Sequence, residues 1–347
     1  MPTPLRDVLL KLCRREDLTR DEARDAFAHV MSGAAGDAQI GGLLVGMASK
    51  GTTVEELVGA ATVMREKVLP IPLDDSRDGR EARGVILDTC GTGGDVRATF
   101  NISTAAAIIA AAAGVRVVKH GNRSASGRIG SADVLEKLGV RLELKPEQLR
   151  KCLDETNICF AFARYHHPAM QFVAAARSSL GIPTIFNLLG PLTNPGRARH
   201  QLLGVFAPEL TERLAAVLRE TGSERAWIVH AEDGLDELST LGPTRVSELR
   251  NGRVTTWTLD PKDLGIPYAR LSDLQIGTID DAEAALRDVL GGAEGPRRDI
   301  SLLNASGALV VAGACADLRE ALARTADAVD SGRAAQTLDA LVACSRS

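Results

Sequence analysis

Residues 88–131 constrain the fold of this chain more than any other stretch, because two polar, glycine-containing loops follow two short apolar runs there. The apolar run 84–87 leads into a glycine-rich loop at 91–95, and the alanine-rich run 105–113 separates that loop from a second apolar run at 115–118. Short apolar runs that alternate with a helical segment are typical of an α/β sheet. We therefore expect strand, loop, helix, strand and loop, with both loops at the same edge of a parallel sheet.

The glycine-rich loop has the composition of an anion site, because its glycines allow the backbone to come close to a ligand. Asn101, Ser103 and Thr104 stand where the next helix should begin. We expect their side chains to cap that helix while its free N–H groups attract an anion. The second loop, residues 119–126, adds a lysine and hydroxyl groups. These residues predict a site for a phosphorylated ligand, with an ordinary tight turn at 91–95 as the alternative.

Several longer motifs resemble those of one enzyme family, the anthranilate phosphoribosyltransferases. They are GTGGD at 91–95, NIST at 101–104, KHGNRS at 119–124, GSAD at 130–133, GIPTIFNLLGPLTNP at 181–195 and the pair Asp236 and Glu237. The resemblance extends over essentially the whole chain, and the motifs occur in the family's order.

The resemblance implies an enzyme that moves the 5-phosphoribosyl group from 5-phosphoribosyl-1-pyrophosphate to the amine of anthranilate. The products are N-(5-phosphoribosyl)anthranilate and pyrophosphate, in the biosynthesis of L-tryptophan. Because the donor is highly charged and positive charge builds on its ribose ring, positioning and electrostatics should dominate catalysis. Mg²⁺ is the implied cofactor, since it binds few carboxylates and takes its other ligands from phosphate and water.

The resemblance also implies the architecture, an α/β protein with a small all-helical lobe plus a larger α/β lobe around a central, mainly parallel sheet. The helical domain would comprise residues 1–75 together with about 168–190, and would form one wall of the cleft and the interface of a homodimer. The α/β domain, residues 76–167 and 191–347, would bind phosphoribosyl pyrophosphate. The residues themselves predict consecutive helices at the start of the chain and then a surface connector at 70–83.

Local signals give further elements. Thr19 with Glu22, and Thr53 with Glu56, fit capping boxes at helix starts. The Asn-Gly dipeptide at 251–252 predicts a hairpin. Strands are predicted at 85–87, 115–118, 158–162, 202–206, 226–229, 244–249 and 254–259.

The resemblance assigns site residues in three groups. For phosphoribosyl pyrophosphate they are Gly91, Gly94, Asp95, Thr99, Asn101, Ile102, Ser103, Thr104, Lys119, His120, Gly121, Asn122, Arg123, Ser124, Ala125, Ser126, Gly127 and Ser131. For anthranilate they are Gly91, Asn122 and Arg177. For the metal they are Ser103, Asp236 and Glu237.

On the residues alone, Asp236 and Glu237 are open to two interpretations. Adjacent carboxylates after the predicted strand 226–229 can reach one cation, but an acidic turn in solvent is at least as good an interpretation. The resemblance favours the metal site for this pair and leaves Glu232 and Asp233 as a solvated turn.

The groups assigned to anthranilate rest on the resemblance more than on pattern. A guanidinium such as that of Arg177 can bind a carboxylate, whereas an exposed arginine near a helix end is the alternative. His120 adjoins Asn122 and is our catalytic candidate, to orient the amine or take its proton, although a neutral aromatic amine does not obviously need a strong base. His166 and His167 either line the acceptor channel or form a structural loop.

Composition narrows the class of protein. The net charge of −4 gives no overall positive field for nucleic acid or an anionic membrane, so any anion site must be local. The six cysteines show no CxxC pair and no secretory signal precedes them, so we expect reduced thiols in a cytoplasmic protein. Cys90 is expected to be a small buried residue and not a nucleophile. The longest apolar run, 104–115, is too short to span a bilayer.

Three departures from the family pattern concern the loops. Val96 and Arg97 follow GTGGD where small residues are usual, and we expect Arg97 to add a phosphate contact or to point to solvent. Ser126 and Gly127 stand where paired serines are common. Pro183 replaces a frequent arginine.

Two other functions compete with this interpretation. A pyrimidine-nucleoside phosphorylase would share the two-lobed architecture, but it has no need for the pair Asp236 and Glu237, and its loop chemistry differs from KHGNRS. A non-catalytic homologue that binds nucleic acid should show a basic face and eroded metal ligands. The net negative charge of the chain and the intact pair of carboxylates argue against a nucleic-acid-binding homologue.

Overall fold

The structure, a computed structural model, describes residues 4–73, 84–93, 97–124 and 129–347. The strands are β1 (Ile86–Gly91), β2 (Arg116–Gly121), β3 (Ile158–Phe162), β4 (His200–Gly204), β5 (Arg225–Ala231), β6 (Thr244–Arg250) and β7 (Arg253–Leu259). The helices are α1 (Pro4–Cys13), α2 (Arg20–Val30), α3 (Asp37–Lys50), α4 (Val54–Lys67), α5 (Ile102–Ala112), α6 (Ser131–Lys137), α7 (Pro146–Thr156), α8 (Ala163–His166), α9 (Gln171–Leu180), α10 (Phe186–Leu189), α11 (Leu210–Glu220), α12 (Leu271–Leu274), α13 (Ile279–Leu290), α14 (Pro296–Ala312), α15 (Leu318–Asp330) and α16 (Arg333–Arg346). Within these ranges no helix combines the length and the apolar character needed to cross a membrane.

The described strands form one sheet in the order β3-β2-β1-β4-β5-β6-β7. Strands β1 to β5 are parallel, and β6 and β7 extend one edge as antiparallel strands. The parallel part has the order of a doubly wound sheet, in which the chain builds outward from β1 on one side and then returns to the other. The predicted class, a small helical lobe plus a larger α/β lobe with a mainly parallel sheet, is confirmed.

Each predicted strand has an observed counterpart, but β1 and β2 run further at their carboxyl ends than the apolar pattern indicated. Lys119, which we placed in the second loop, is a buried strand residue, and so is Thr89, which lies beyond the predicted strand 85–87. Polar side chains ended the apolar pattern before the backbone left the sheet. The hairpin prediction is confirmed, since Asn251 and Gly252 have φ angles of 52° and 71°, as a tight turn between β6 and β7 requires.

The alanine-rich α5 lies in the core of the α/β lobe, against both the sheet and α14. Its alanines at 105–107 and 110 are fully buried. Small side chains let two helix axes approach closely, so α5 can fit between β1, β2 and α14. This packing fixes the direction in which the start of α5 points.

Helices α1 to α4, with α9 and α10, form what we call the helical lobe. Both predicted capping boxes are confirmed: the hydroxyl of Thr53 accepts from the N–H of Glu56 (3.3 Å), and the Glu56 carboxylate accepts from the N–H of Thr53 (2.9 Å). Glu56 is fully buried and also accepts from the N–H of Leu18 (2.8 Å) and from Lys50 (3.0 Å). These contacts join α3, α4 and the segment before α2.

Arg65 of α4 connects the helical lobe to the α/β lobe. Its guanidinium donates to the carbonyls of Leu192 (2.6 Å) and Thr221 (2.6 Å), and burial lowers its pKa to about 10. The hydrophobic core of the helical lobe continues into α11 on one face of the sheet. We retain the division into 1–75 with 168–190, and 76–167 with 191–347, as a proposal, because residues 74–83 lie outside the described ranges.

Candidate active site

A cleft of about 1050 Å³ lies between the two lobes, at the edge of the sheet where the parallel strands end. From the α/β lobe it is lined by the ends of β1 and β2, the start of α5 and the loop after β5. From the helical lobe it is lined by α9, α10 and Met64 of α4. We call it the interlobe cleft. Open α/β sheets bind their ligands at this edge, so the position agrees with the site expected from the loops.

The start of α5 faces the interlobe cleft without a side-chain cap. Asn101 occupies the N-cap position, but its amide donates to the Ile129 carbonyl (3.0 Å) and does not bond to the helix. Ser103 and Thr104 lie inside the first turn. The prediction that these side chains cap the helix is therefore wrong, because the second loop engages the Asn101 side chain. An uncapped helix start keeps its attraction for an anion.

Lys119 lies at the floor of the interlobe cleft and is 2% exposed. Its ammonium donates to the Thr89 carbonyl (2.7 Å) and to the Ser103 hydroxyl (3.2 Å). Burial lowers the pKa of Lys119, and nearby acidic groups, foremost Asp88, act in the opposite direction. Two oxygen acceptors thus fix the position of a positive charge beside the start of α5.

The loop after β5, residues 232–237, lies directly on the strand ends, and we call it the acidic loop. A Cβ at Gly204 would lie 1.6 Å from the Asp236 carbonyl oxygen, and one at Gly91 would lie 2.7 Å from the Asp236 carboxylate. The N–H of Gly93 donates to the same carboxylate (3.2 Å). Glycines at the ends of β1 and β4 are therefore required for the acidic loop to reach the glycine-rich loop.

Asp233 shapes the turn of the acidic loop. Its carboxylate accepts from the N–H of Leu235 (3.0 Å) and from the hydroxyl of Ser239 (2.6 Å). Asp233 therefore stabilises the turn through hydrogen bonds within the protein, and its carboxylate is not simply solvated as we expected. Glu232 is exposed, as expected. The guanidinium of Arg97 donates to the Asp233 carbonyl, a role that we did not expect. Arg97 therefore joins the chain after the glycine-rich loop to the acidic loop.

The carboxylates of Asp236 and Glu237 and the hydroxyl of Ser103 offer only oxygen ligands. In the described part of the chain, no three or more His, Cys, Asp or Glu side chains come together in a way that would hold a metal ion. A set of two carboxylates and one hydroxyl fits Mg²⁺, which prefers oxygen and takes several of its ligands from phosphate and water.

Arg177 of α9 reaches the interlobe cleft from the opposite wall. It is half-buried, and its guanidinium carbon lies 5.3 Å from the centre of the Phe186 ring. Burial lowers the pKa of Arg177. Among the residues that the structure describes, no ion pair to Arg177 is found. A guanidinium removed from water in this way is suited to a carboxylate from a ligand.

His120 and His167 meet in the interlobe cleft, with 3.2 Å between their Nε2 atoms. Burial lowers the pKa of both, to about 4 for His167 and well below its ordinary value for His120. Both imidazoles are therefore neutral at pH 7 and can accept a proton. His166 instead turns toward the Leu69 carbonyl, 2.7 Å from its Nδ1. Cys90 is buried, as expected, and burial raises the pKa of its thiol well above the ordinary value.

Two family models match the chain, "Glycosyl transferase family, helical bundle domain" over residues 6–68 and "Glycosyl transferase family, a/b domain" over residues 83–335. The anthranilate phosphoribosyltransferase of Moorella thermoacetica is 47% identical, and the alignment covers 98% of each chain. That of Methylobacterium nodulans is 49% identical, with 97% of each chain covered. This chain belongs to the anthranilate phosphoribosyltransferase family.

Solved structures of anthranilate phosphoribosyltransferases have the same fold. The enzyme of Thermus thermophilus superimposes with a TM-score of 0.90 at 40% identity, covering 98% of this chain and 100% of that one. The enzyme of Saccharomyces cerevisiae in complex with PRPP and Mg superimposes with a TM-score of 0.88 at 25% identity, covering 100% and 99%. The family predicted from the loops is confirmed, and neither competing function is supported.

The residues assigned from the family resemblance come together in the interlobe cleft wherever the structure describes them, with one exception. Those that line it are Gly91, Thr99, Asn101, Ile102, Ser103, Lys119, His120, Gly121, Asn122, Arg123, Ser124, Ser131, Arg177, Asp236 and Glu237. The exception is Thr104, which is 1% exposed and lies behind the lining. Five others lie outside the described residues, namely Gly94, Asp95, Ala125, Ser126 and Gly127.

The sequence analysis did not predict several residues between positions 164 and 193 that line the interlobe cleft. These residues are Arg164, Met170, Gln171, Phe186, Asn187, Gly190, Pro191 and Thr193. Arg164 follows β3 at the same sheet edge as the predicted loops, so the rule that found those loops would also have found it. The backbones of Gly190 and Thr193 lie close to the imidazoles of His120 and His167, respectively, and act to raise the pKa of each. No residue type in that apolar run signals such a contact.

Proposed function

We propose that the interlobe cleft transfers the 5-phosphoribosyl group from 5-phosphoribosyl-1-pyrophosphate to the amine of anthranilate, giving N-(5-phosphoribosyl)anthranilate and pyrophosphate, in the biosynthesis of L-tryptophan. One observation carries this proposal: the uncapped start of α5, the buried Lys119 and the acidic loop meet at one sheet edge, opposite Arg177. The yeast relative, whose structure contains PRPP and Mg, supports the same ligands here.

The α/β wall binds the phosphoribosyl pyrophosphate in this proposal. The N–H groups at the start of α5 and the ammonium of Lys119 are donors for phosphate oxygens. The hydroxyls of Ser103 and Ser131, which also line the cleft, add donors that rotate to suit the ligand. The remaining contacts assigned from the family resemblance, including those outside the described residues, belong to the same proposal.

Asp236, Glu237 and the hydroxyl of Ser103 would hold Mg²⁺. The fit rests on the contacts of these groups: Asp236 lies against the glycine-rich loop, and Ser103 accepts from Lys119 with a second lone pair to spare. When bound, the ion supplies positive charge that stabilises pyrophosphate as it leaves.

The helical wall binds anthranilate. The guanidinium of Arg177 takes the carboxylate, because a half-buried cation without an ion-pair partner in the described ranges gains most from an incoming anion. The Phe186 ring offers an apolar surface for the aromatic ring of the acceptor. Gly91 and Asn122 approach the acceptor from the α/β wall.

In the reaction, the amine lone pair forms the bond to C1 of the ribose while the bond from C1 to the pyrophosphate oxygen breaks. The amine nitrogen then carries one proton too many, and His120 accepts it. Its imidazole is neutral and lies 3.2 Å from that of His167. Burial and the neighbouring His167 lower the pKa of His120, but the protonated form of an aromatic amine is a strong acid, so a weakly basic imidazole can still take its proton.

A homodimer through the amino-terminal helices is part of the proposal. Leu10 of α1 and Val45 of α3 are apolar and 43% and 38% exposed, and α1 packs on α3. A second copy of the chain would remove both from water. The cytoplasm is the proposed location, since all six cysteines are free thiols.

The fluorescence of anthranilate tests the reaction. The native protein should consume the signal when phosphoribosyl pyrophosphate and Mg²⁺ are both present, and chelation of the metal should stop it. A parallel assay with a pyrimidine nucleoside and phosphate should release no free base. If a well-folded native protein leaves anthranilate unchanged, the proposal is contradicted. Release of free base from the nucleoside would then favour a pyrimidine-nucleoside phosphorylase.

A further inference from the structure

The backbone ladder between β1 and β2 opens beneath the interlobe cleft. Strands β1 and β2 pair at two positions only, Ile86 with Arg116 and Leu87 with Val117. Beyond these positions β1 continues beside β4, with five paired positions, and β2 continues beside β3, also with five. Where their residues begin to line the cleft, the two central strands therefore lack the ladder of backbone hydrogen bonds that normally fixes neighbouring strands.

Side chains span this opening between β1 and β2. The carboxylate Oδ1 of Asp88, on β1, accepts from the N–H of His120, on β2 (3.1 Å). In the other direction, the ammonium of Lys119 donates to the Thr89 carbonyl (2.7 Å). These two contacts replace ladder hydrogen bonds and set the distance between the strand ends.

A third bridge comes from Asn194, a residue of the motif at 181–195 to which the proposed reaction assigns no role. Asn194 is 6% exposed, and its amide donates to the Val118 carbonyl of β2 (2.7 Å). The orientation of that amide is fixed, because its oxygen accepts from the N–H of Gly196 (2.7 Å). A Cβ at Gly196 would lie 2.9 Å from the Val118 side chain, so the segment lies directly on β2.

The stability of the fold does not account for Asp88. Its side chain is fully buried, and its second oxygen makes no hydrogen bond of good geometry among the described residues, although the Asn194 amide and the Cys90 thiol lie close to the carboxylate. Burial raises the pKa of Asp88, while the Asn194 amide, the Lys119 ammonium and the His120 N–H favour its ionised form. A buried carboxylate with one oxygen unsatisfied costs free energy relative to a neutral side chain. What Asp88 provides is a fixed acceptor at the point where the ladder between β1 and β2 ends.

We propose that Asp88 and Asn194 are positioning residues for the phosphoribosyl transfer, which hold the end of β2 so that Lys119 and His120 face the substrates. The inference rests on the proposed function of the interlobe cleft. Neither residue is among those that line the cleft, so each acts through the backbone of β2.

Two substitutions of Asp88 test this role. Asp88→Ala removes the acceptor, and we expect kcat/KM for phosphoribosyl pyrophosphate to fall by about 100-fold, mostly through KM, because a displacement of about 1 Å has effects of that size. Asp88→Asn keeps a carbonyl acceptor for the His120 N–H and should recover about tenfold of that loss. If Asp88→Ala folds and keeps native kcat and KM, the inference is wrong.

Glu56→Ala is the matched control. Glu56 is also a fully buried carboxylate that accepts from backbone N–H groups, but it lies in the helical lobe. Its loss should lower thermal stability and leave KM for phosphoribosyl pyrophosphate unchanged. If Glu56→Ala raised that KM as much as Asp88→Ala, the effect would reflect lost stability in general, and the positioning role would be overturned.

Asn194→Ala provides an independent test if Asp88→Ala does not fold. It removes the donor to Val118 and should raise the same KM by about tenfold. Calorimetric titration with phosphoribosyl pyrophosphate compares the native and variant proteins without turnover. Weaker binding by the variants supports the inference even if anthranilate is not the acceptor, whereas equal binding contradicts it. Absence of turnover by the native protein would contradict only the proposed reaction.

Discussion

The two walls of the interlobe cleft hold their charged groups in different ways. On the α/β wall, Lys119 donates to two oxygens and Asp236 accepts from the N–H of Gly93, so both charges are fixed by the protein itself. On the helical wall, Arg177 lies over the Phe186 ring, and the described residues provide no ion pair for it. In the proposed function, this difference means that one wall is preorganised for phosphate and metal, while the other would be completed by the carboxylate of its ligand.

The largest effect is expected from the acidic loop. Asp236→Asn combined with Glu237→Gln keeps the side-chain shapes but removes the charge that would hold Mg²⁺, so kcat/KM should fall about 10³-fold or more. Loss of anthranilate fluorescence measures it. Glu232→Gln, an exposed acid of the same loop, is the control and should retain native activity. Equal rates in the double variant and the native protein would contradict the assignment of a metal site to Asp236 and Glu237 on the α/β wall.

A smaller and more selective effect is expected on the helical wall. Arg177→Ala should raise KM for anthranilate by about 30-fold, equivalent to about 2 kcal/mol, because one carboxylate contact is lost. KM for phosphoribosyl pyrophosphate should stay within about twofold, since the α/β wall is unchanged. Arg177→Lys keeps the charge without the planar fork and should lie between. Steady-state kinetics with each substrate varied in turn would distinguish the contributions of the two walls. Equal changes in both KM values would contradict the assignment of one substrate to each wall.

The α/β wall could be predicted from the sequence because its parts are contiguous. The glycine-rich loop, the start of α5 and the end of β2 lie within about forty residues, and the rule that parallel strands end at one edge brings them together. The prediction from the sequence pattern was wrong where a polar side chain is buried or bonds to a different partner than expected. Lys119 is polar and yet buried in a strand, and Asn101 bonds to the second loop instead of capping α5.

The helical wall could not be predicted in this way, because it is assembled from distant segments. Arg177 has the pattern of an exposed residue near a helix end, and only the packing of α9 on α3 turns it toward the cleft. The contacts of Gly190 and Thr193 with the two histidines use backbone atoms, which leave no trace in residue type. Resemblance to the family supplied Arg177, but not these backbone contacts.

The two histidines between the walls make stability depend on pH. Burial lowers the pKa of His167 from 6.5 to about 4, so between these pH values the unfolded chain binds more protons than the folded chain. The stabilising contribution of the neutral ring is complete above pH 6.5 and is lost as pH falls toward 4. Going from pH 7 to pH 5 should cost about 2 kcal/mol of free energy of unfolding from this residue.

Urea denaturation of the native protein and His167→Asn at both pH values measures that contribution. The variant should lose about 2 kcal/mol less between pH 7 and pH 5 than the native protein does. The same measurement on His29→Asn, which removes a histidine of α2 outside the cleft lining, is the control for the loss of a histidine elsewhere in the chain. An unchanged dependence in His167→Asn would mean that His167 is solvated, and the two walls would then be separated by water.

The smallest effect is expected from Thr53→Ala, and on stability alone. The Thr53 hydroxyl accepts from the N–H of Glu56 at the start of α4, and its removal leaves a helix N–H without its cap, at a cost of about 1 kcal/mol in the free energy of unfolding. Thr53→Ser restores the hydroxyl and should restore most of that free energy. Both KM values should stay native, since Thr53 lies more than two turns of α4 from Met64, the residue of that helix that lines the cleft. A rise in KM for anthranilate would show that substrate binding on the helical wall depends on the stability of its own helices. The difference between the two walls would then come from the stability of the whole helical lobe and not only from the missing ion pair of Arg177 among the described residues.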